Sequence, residues 1–214
     1  MPSDPQSPGQ TTSSPQPPAG PGAAARLGAI TLARHGEPDL SRKVRLNARE
    51  YRKWWATYEG VGIVAGQSPP PKLLQTAGAA GMVYTSTRPR SIETAKVLVG
   101  ARQMTHEALF IEAPLPPPAW PDFIRFSPKA WGVISRVSWW IGGHKGEESR
   151  REAQARAVRA ARLLHDVAMS GVDVLLVAHG FFNTMIGTEL RRLGWRRAGG
   201  RGWRYWSTRH YRRP

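Results

Sequence analysis

Hydrophobic and polar positions along the chain fall into two textures that change near residue 27. Residues 1 to 26 hold seven prolines among Ser, Gln, Gly, Thr and Ala, with Asp4 and Arg26 as their only charged side chains. Such a stretch offers too little apolar area to offset the entropy of ordering it, which predicts a disordered tail. From Gly28 onward the chain alternates short apolar runs with polar motifs, the pattern of buried parallel strands whose C-terminal loops carry function. The runs are Ala29–Ala33, Met82–Thr85 and Val172–Ala178, and a helical pattern follows each.

After the first run, Asn47 is placed to cap a helix over 48–58, with Glu50 three residues on to complete a capping box and Leu46 and Tyr51 at staple positions. A helix over 92–99 stops at Gly100. The segment 147–170 puts Ala157, Ala161, Leu164 and Ala168 on one face and ends at Gly171, and a last helix over 182–193 ends at Gly194. Strands alternating with helices predict a layered α/β domain over 27–214 with a largely parallel sheet and a site at the C-terminal edge of its strands. Residues 101–146 break the pattern: Pro114, Pro116, Pro117, Pro118 and Pro121 predict an irregular cap, in which Trp120, Trp131, Trp139 and Trp140 need packing partners.

Composition narrows the chemistry. The chain has 214 residues, 40% hydrophobic, enough for one substantial core. It has no cysteine, which removes disulfides, thiolate nucleophiles and cysteine-ligated metals. No run of 18 apolar residues suggests a membrane span, and the N-terminus lacks the basic-then-apolar order of a secretion signal, so the expectation is a cytoplasmic protein without membrane attachment. Lys and Arg number 31 against 15 Asp and Glu, a formal charge of +16, which favours anionic partners without choosing among them.

Three polar segments follow the three predicted strands: Arg34-His35-Gly36-Glu37, then Ser86-Thr87-Arg88-Pro89-Arg90, then His179-Gly180. Parallel strands deliver all three to one edge of the sheet. An imidazole flanked by arginine there suits an anion, and Arg90 at a helix start adds free N–H groups and the favourable end of the helix dipole.

These segments, in this order, resemble the signature of the histidine phosphatase superfamily, and the resemblance spans about residues 27–208: Leu32-Ala33-Arg34-His35-Gly36-Glu37, Ser86-x-x-x-Arg90-x-x-x-Thr94-Ala95 and Val177-Ala178-His179-Gly180. It implies a three-layer α/β/α, phosphoglycerate-mutase-like fold and a metal-independent phosphomonoesterase without a cofactor, acting on a small phosphate ester. In that scheme His35 becomes phosphorylated, His179 assists beside it, and Arg34, Arg90, Ser41 and Gly180 surround the phosphoryl group. Ser41 stands where many members carry Asn, and Pro38 where a small polar residue is usual. The general acid by the same resemblance is Glu112, 22 residues after Arg90 and behind an expected strand at 108–111, with Asp122 as the second candidate. A mutase-type phosphotransferase shares the chemistry up to the phosphohistidine.

His106, His144, His165 and His210 lack partners at metal-ligand spacing and read as surface or locally satisfied, with no metal site expected. The arginines at 150, 151, 156, 159 and 162 read as a solvated helix face. Residues 191–214 carry nine arginines, no acid, and Trp195, Trp203, Tyr205, Trp206 and Tyr211. That segment packs the end of the domain, or else makes weak nucleic-acid contact through stacked bases. The rival to an enzyme is accordingly a module that uses the phosphate pocket to hold nucleic acid or a phosphorylated partner.

Overall fold

Four strands run parallel at the centre of the domain and bring their C-terminal ends to one edge. A computed structural model of the protein describes residues 26–144, 146–200 and 203–214; the predicted tail lies outside the described residues except for Arg26. The strands are β1 (Ile30–Arg34), β2 (Met82–Thr85), β3 (Thr105–His106), β4 (Val174–Ala178), β5 (Arg196–Gly199) and β6 (Thr208–Arg212). They form one sheet in the order β3-β2-β4-β1-β6-β5. The first four in that order are parallel, while β6 runs antiparallel to both β1 and β5. The fold class read from the sequence, a three-layer α/β/α domain with a largely parallel sheet, is the one observed.

Burial explains the central strands: β4 (Val174-Leu175-Leu176-Val177-Ala178) is buried at every position, as expected for a strand covered on both faces. Alternate side chains then feed two cores. Ile30, Leu32, Leu176 and Ala178 pack under α5 (Arg150–Met169) and α6 (Gly180–Arg192), and Ala33, Val83, Leu175 and Val177 pack under α2 (Pro71–Ala79) and α3 (Pro89–Val99). The helix α1 (Ala48–Gly60) stands outside these layers with α4 (Pro128–Trp140), the two joined by Ala48, Tyr51 and Trp131. The pair forms a wall above the strand ends.

Local chemistry sets the helix limits. Asn47 accepts the Glu50 N–H at 2.9 Å while the Glu50 carboxylate accepts the Asn47 N–H at 2.9 Å, the predicted capping box. Ser149 and Glu152 repeat it at the start of α5, and Gly171 just past its end has φ 89°, a left-handed conformation that glycine adopts without steric cost.

Three expectations need correction. The proline-rich cap contains a regular helix: Ser127 caps α4 and Pro128 occupies its first turn, where a missing N–H costs nothing. Residues 108–110 are a single 3-10 turn, and the strand lies earlier, at Thr105–His106. Arg156 is not solvated. It is buried, bound to Glu148 at 2.7 and 2.6 Å and to the carbonyls of Leu109 and Ile111 at 3.0 and 2.7 Å, and so anchors the segment that leads to Glu112. Replacing Asn47 by alanine should lower stability by about 1 kcal/mol, because the cap is lost while α1 stays packed on α4; a urea unfolding midpoint checks this, with an unchanged slope.

Candidate active site

His35 follows the last residue of β1 and is 2% exposed. Its Nδ1 lies 2.7 Å from its neighbour Gly36's carbonyl oxygen. A carbonyl only accepts, so Nδ1 carries the proton and Nε2 keeps a free lone pair. The turn that allows this is tightly packed. A Cβ on Gly36 would come within 2.6 Å of the Trp206 indole, so the position requires glycine. Trp206 itself sits at φ 61°, a conformation that costs a bulky residue about 1 kcal/mol or more, and is held there by its indole N–H to Gln67 at 2.8 Å. Gln67 also accepts from and donates to the backbone of Glu37, both at 2.8 Å, and so fixes the turn between His35 and Pro38.

Arg90 lies in the first turn of α3 and is fully buried. Its guanidinium donates to the Tyr58 carbonyl at 2.8 Å and to the Glu59 carboxylate at 2.7 Å, which caps the C-terminal end of α1. Arg88 pairs with the other oxygen of Glu59 at 2.5 Å. Thr94, one turn along α3, accepts the Gly36 N–H at 2.8 Å, tying the arginine's helix to the histidine's turn. Arg34 donates to the Trp203 carbonyl and stacks 4.7 Å over the Tyr205 ring. The Nε atoms of Arg34 and Arg90 are both buried without a protein acceptor, and both residues line the same cleft as His35. Charged donors without a protein acceptor beside an imidazole suit an anion's oxygens.

His179 is the N-cap of α6 and stands 5.2 Å from His35 between ring centroids, with Nε2 held at 2.8 Å from the Ser86 hydroxyl. Burial first, then Arg90 and Arg34, holds the His35 imidazole well below its ordinary pKa. His179 is lowered in the same direction by burial, then by Arg90 and His35. Both rings are neutral at pH 7 for the same reason: a further positive charge here is desolvated and faces guanidinium groups.

The structure brings together His35, His179, Arg34, Arg90, Gly180 and Glu112 on one cleft and leaves Ser41 and Asp122 outside it. Glu112 sits at the start of α6, where one oxygen accepts the Phe182 N–H at 2.9 Å and the other the Phe181 N–H at 3.2 Å. Ser41 is exposed: its hydroxyl accepts the Lys43 N–H at 3.2 Å and its carbonyl the Trp54 indole N–H at 3.1 Å, which turns the side chain outward. Its neighbour Arg42 lines the cleft instead, bound to the Tyr58 hydroxyl at 2.9 Å. Asp122 pairs on the surface with Arg49.

Two features around the cleft escape the sequence reading. Glu59 gives one signal, an acidic residue at the wrong end of a helix for the dipole, which implies a compensating cation. The C-terminal segment divides its aromatics: Trp195, Trp206 and Tyr211 are buried, while Trp203 and Tyr205 face the cleft. The four unmatched histidines are locally bonded, His106 to Thr85, His144 to Glu147, His165 to Trp195 and His210 to Thr31. Among the described residues no group of three acids or histidines converges to hold a metal ion, and no helix is long and apolar enough to cross a membrane.

No protein-family model and no curated protein sequence matches the chain. Solved structures do. The mycobacterial glucosyl-3-phosphoglycerate phosphatase superimposes with a TM-score of 0.50 at 16% identity, over 78% of this chain and 81% of that one. A structure described as mycobacterial hydrolase 1 gives 0.50 and 16% over 78% and 82%. A Bacillus anthracis phosphoglycerate mutase gives 0.49 and 16% over 79% and 82%. At such identities the likeness establishes the fold, which is phosphoglycerate-mutase-like.

The buried rings carry a pH signature. Below about pH 6.5 the unfolded chain takes up protons at positions 35 and 179 that the folded chain refuses, so stability falls as pH drops below that value and levels off above it. Nitrogen-15 spectra of the imidazoles should show both titration midpoints well below 6.5; midpoints at or above it would contradict the burial.

Proposed function

We propose that the protein is a phosphomonoesterase that works through a phosphohistidine at His35. The observation that carries this reading is the 2.7 Å contact between Nδ1 and its neighbour's carbonyl, which leaves Nε2 unprotonated beside two arginines with unmatched Nε–H donors. Nε2 attacks phosphorus, the N–P bond forms and the bond to the leaving oxygen breaks in line. Glu112, the general acid of this scheme, gives the alcohol its proton. A water then attacks phosphorus, its proton passes to Glu112, and the N–P bond breaks to release inorganic phosphate and neutral His35.

Charge arrangement suits this sequence. Arg34, Arg42, Arg90, Lys129, Arg136 and Arg204 line the cleft against the single carboxylate of Glu112. A unit charge pair at 4 Å in an effective dielectric near 20 is worth roughly 4 kcal/mol before desolvation, so a phosphate dianion offsets its lost hydration when two guanidinium groups meet it. The low affinity of His35 for protons keeps it a nucleophile in that positive field, and the helix dipole of α6, whose first residue is Gly180, adds to it. The reading rests on the same residues that the family resemblance assigns, with Ser41 replaced in the cleft by Arg42.

Turnover of an aryl phosphate in chelator-treated buffer tests the reading. His35→Ala should abolish it, and Arg34→Ala and Arg90→Ala should each lower kcat/KM at least 100-fold, about 2.7 kcal/mol. Near-wild-type rates in any of the three would place the chemistry elsewhere. A second outcome concerns the proton. Glu112→Gln should lose far more activity on an alkyl phosphate, whose alkoxide needs protonation, than on nitrophenyl phosphate, whose phenolate leaves nearly unaided, when phosphorylation of His35 limits both rates. Equal losses would remove Glu112 from the acid role.

A further inference from the structure

The phosphate pocket occupies only the floor of a cleft of about 980 Å³, several times what a phosphoryl group fills. Above that floor the cleft is walled by rings and aliphatic side chains. On the α1 side Trp54 and Trp55 each stack on Tyr58, with ring centroids 5.1 Å apart. On the α4 side Val133 and Val137, one helical turn apart, line the cleft while remaining 62% and 58% exposed, so they form its open lip. Trp203, 55% exposed, stands on the same cleft from the β5–β6 loop.

The cations of the upper cleft do not change that character. Arg136 is folded back, donating to the carbonyls of Ala113 and Pro114 at 3.0 and 3.2 Å and stacking 3.9 Å over Phe181. Arg42 donates to the Tyr58 hydroxyl at 2.9 Å and lies over the Tyr58 and Tyr205 rings, 5.2 and 5.5 Å from their centroids, low in the cleft beside Arg34. Lys129 and Arg204 are exposed. A polyhydroxylated leaving group would face apolar wall at most of its oxygens, and buried hydroxyls without partners bind poorly. An apolar one would cover side chains now open to water, among them Val133, Val137 and Trp203.

Resting on the phosphatase reading above, we propose that the substrate class is phosphate monoesters of large apolar alcohols, with the phosphate at His35 and the chain or ring leaving between α1 and α4 over Val133 and Val137. Binding alone can be read with non-hydrolysable n-alkylphosphonates from ethyl to octyl, below their aggregation concentrations, by calorimetry on the full chain. The Kd should tighten by about twofold per methylene in the open part of the cleft and by up to about fourfold where the methylene is fully buried. Inorganic phosphate should compete throughout the series. Val133→Glu together with Val137→Glu, on an exposed face, should reduce the ratio of ethyl to octyl Kd at least tenfold.

A Kd that does not change with chain length overturns the proposal, as does tightening that phosphate fails to compete. So does a glycerol 3-phosphate kcat/KM equal to or above that of octyl phosphate. Length-dependent, phosphate-competitive binding with no turnover of any ester would instead overturn the phosphatase reading and leave the apolar site standing.

Discussion

A fully buried guanidinium at the floor of the cleft organises this molecule. Arg90 is buried completely, and such a group persists in a fold only when acceptors surround it, because leaving it unpaired costs several kcal/mol. Here the acceptors are the C-terminal carbonyl of Tyr58 and the carboxylate of Glu59, both on α1. The requirement therefore fixes the end of α1 against the beginning of α3, and α1 in turn carries α4 through Tyr51 and Trp131. The outer wall of the cleft is thus placed by the residue at its floor.

The same arginine sets the electrostatics of both imidazoles. Its charge is the leading electrostatic reason that both His35 and His179 resist protonation, after burial itself. The hydroxyl of Thr94 donates to the Arg90 carbonyl at 2.5 Å and accepts the Gly36 N–H, so Arg90 and the turn that carries His35 are held by one short network. In the phosphoryl transfer we propose, an imidazole that is neutral, tautomerically fixed and already surrounded by cations has little left to reorganise when a dianion arrives.

Much of this is legible in the chain. Apolar runs mark β1, β2 and β4, the capping box at Asn47 and Glu50 marks the start of α1, and parallel strands force His35, Ser86 and His179 to one edge. What stays hidden has identifiable causes. No helix is expected from the sequence at 71–79 or within 101–146, yet Pro71 and Pro128 sit in the first turns of α2 and α4, where proline is tolerated. The Thr-Arg-His-Tyr-Arg sequence of β6 is too polar to suggest a strand inside a sheet, yet it lies between β1 and β5, with Arg209 and Tyr211 buried on alternate positions. Ser41 shows the limit of reading a site by position: one residue's turn of the backbone exchanges it for Arg42. Glu59 lies 31 residues from Arg90, and nothing local in the sequence pairs them.

In the proposed reaction Nε2 of His35 takes the phosphoryl group, because Nδ1 is committed to its neighbour's carbonyl. The direct test is phosphorus–nitrogen correlation on protein labelled with nitrogen-15 in its histidines, mixed with substrate and denatured in base, with Glu112→Gln used to slow hydrolysis of the intermediate. One phosphorus–nitrogen coupling is expected, at Nε2 of His35. A phosphoryl group on Nδ1, a phosphoryl group on His179, or turnover that never passes through a phosphorylated histidine would contradict it.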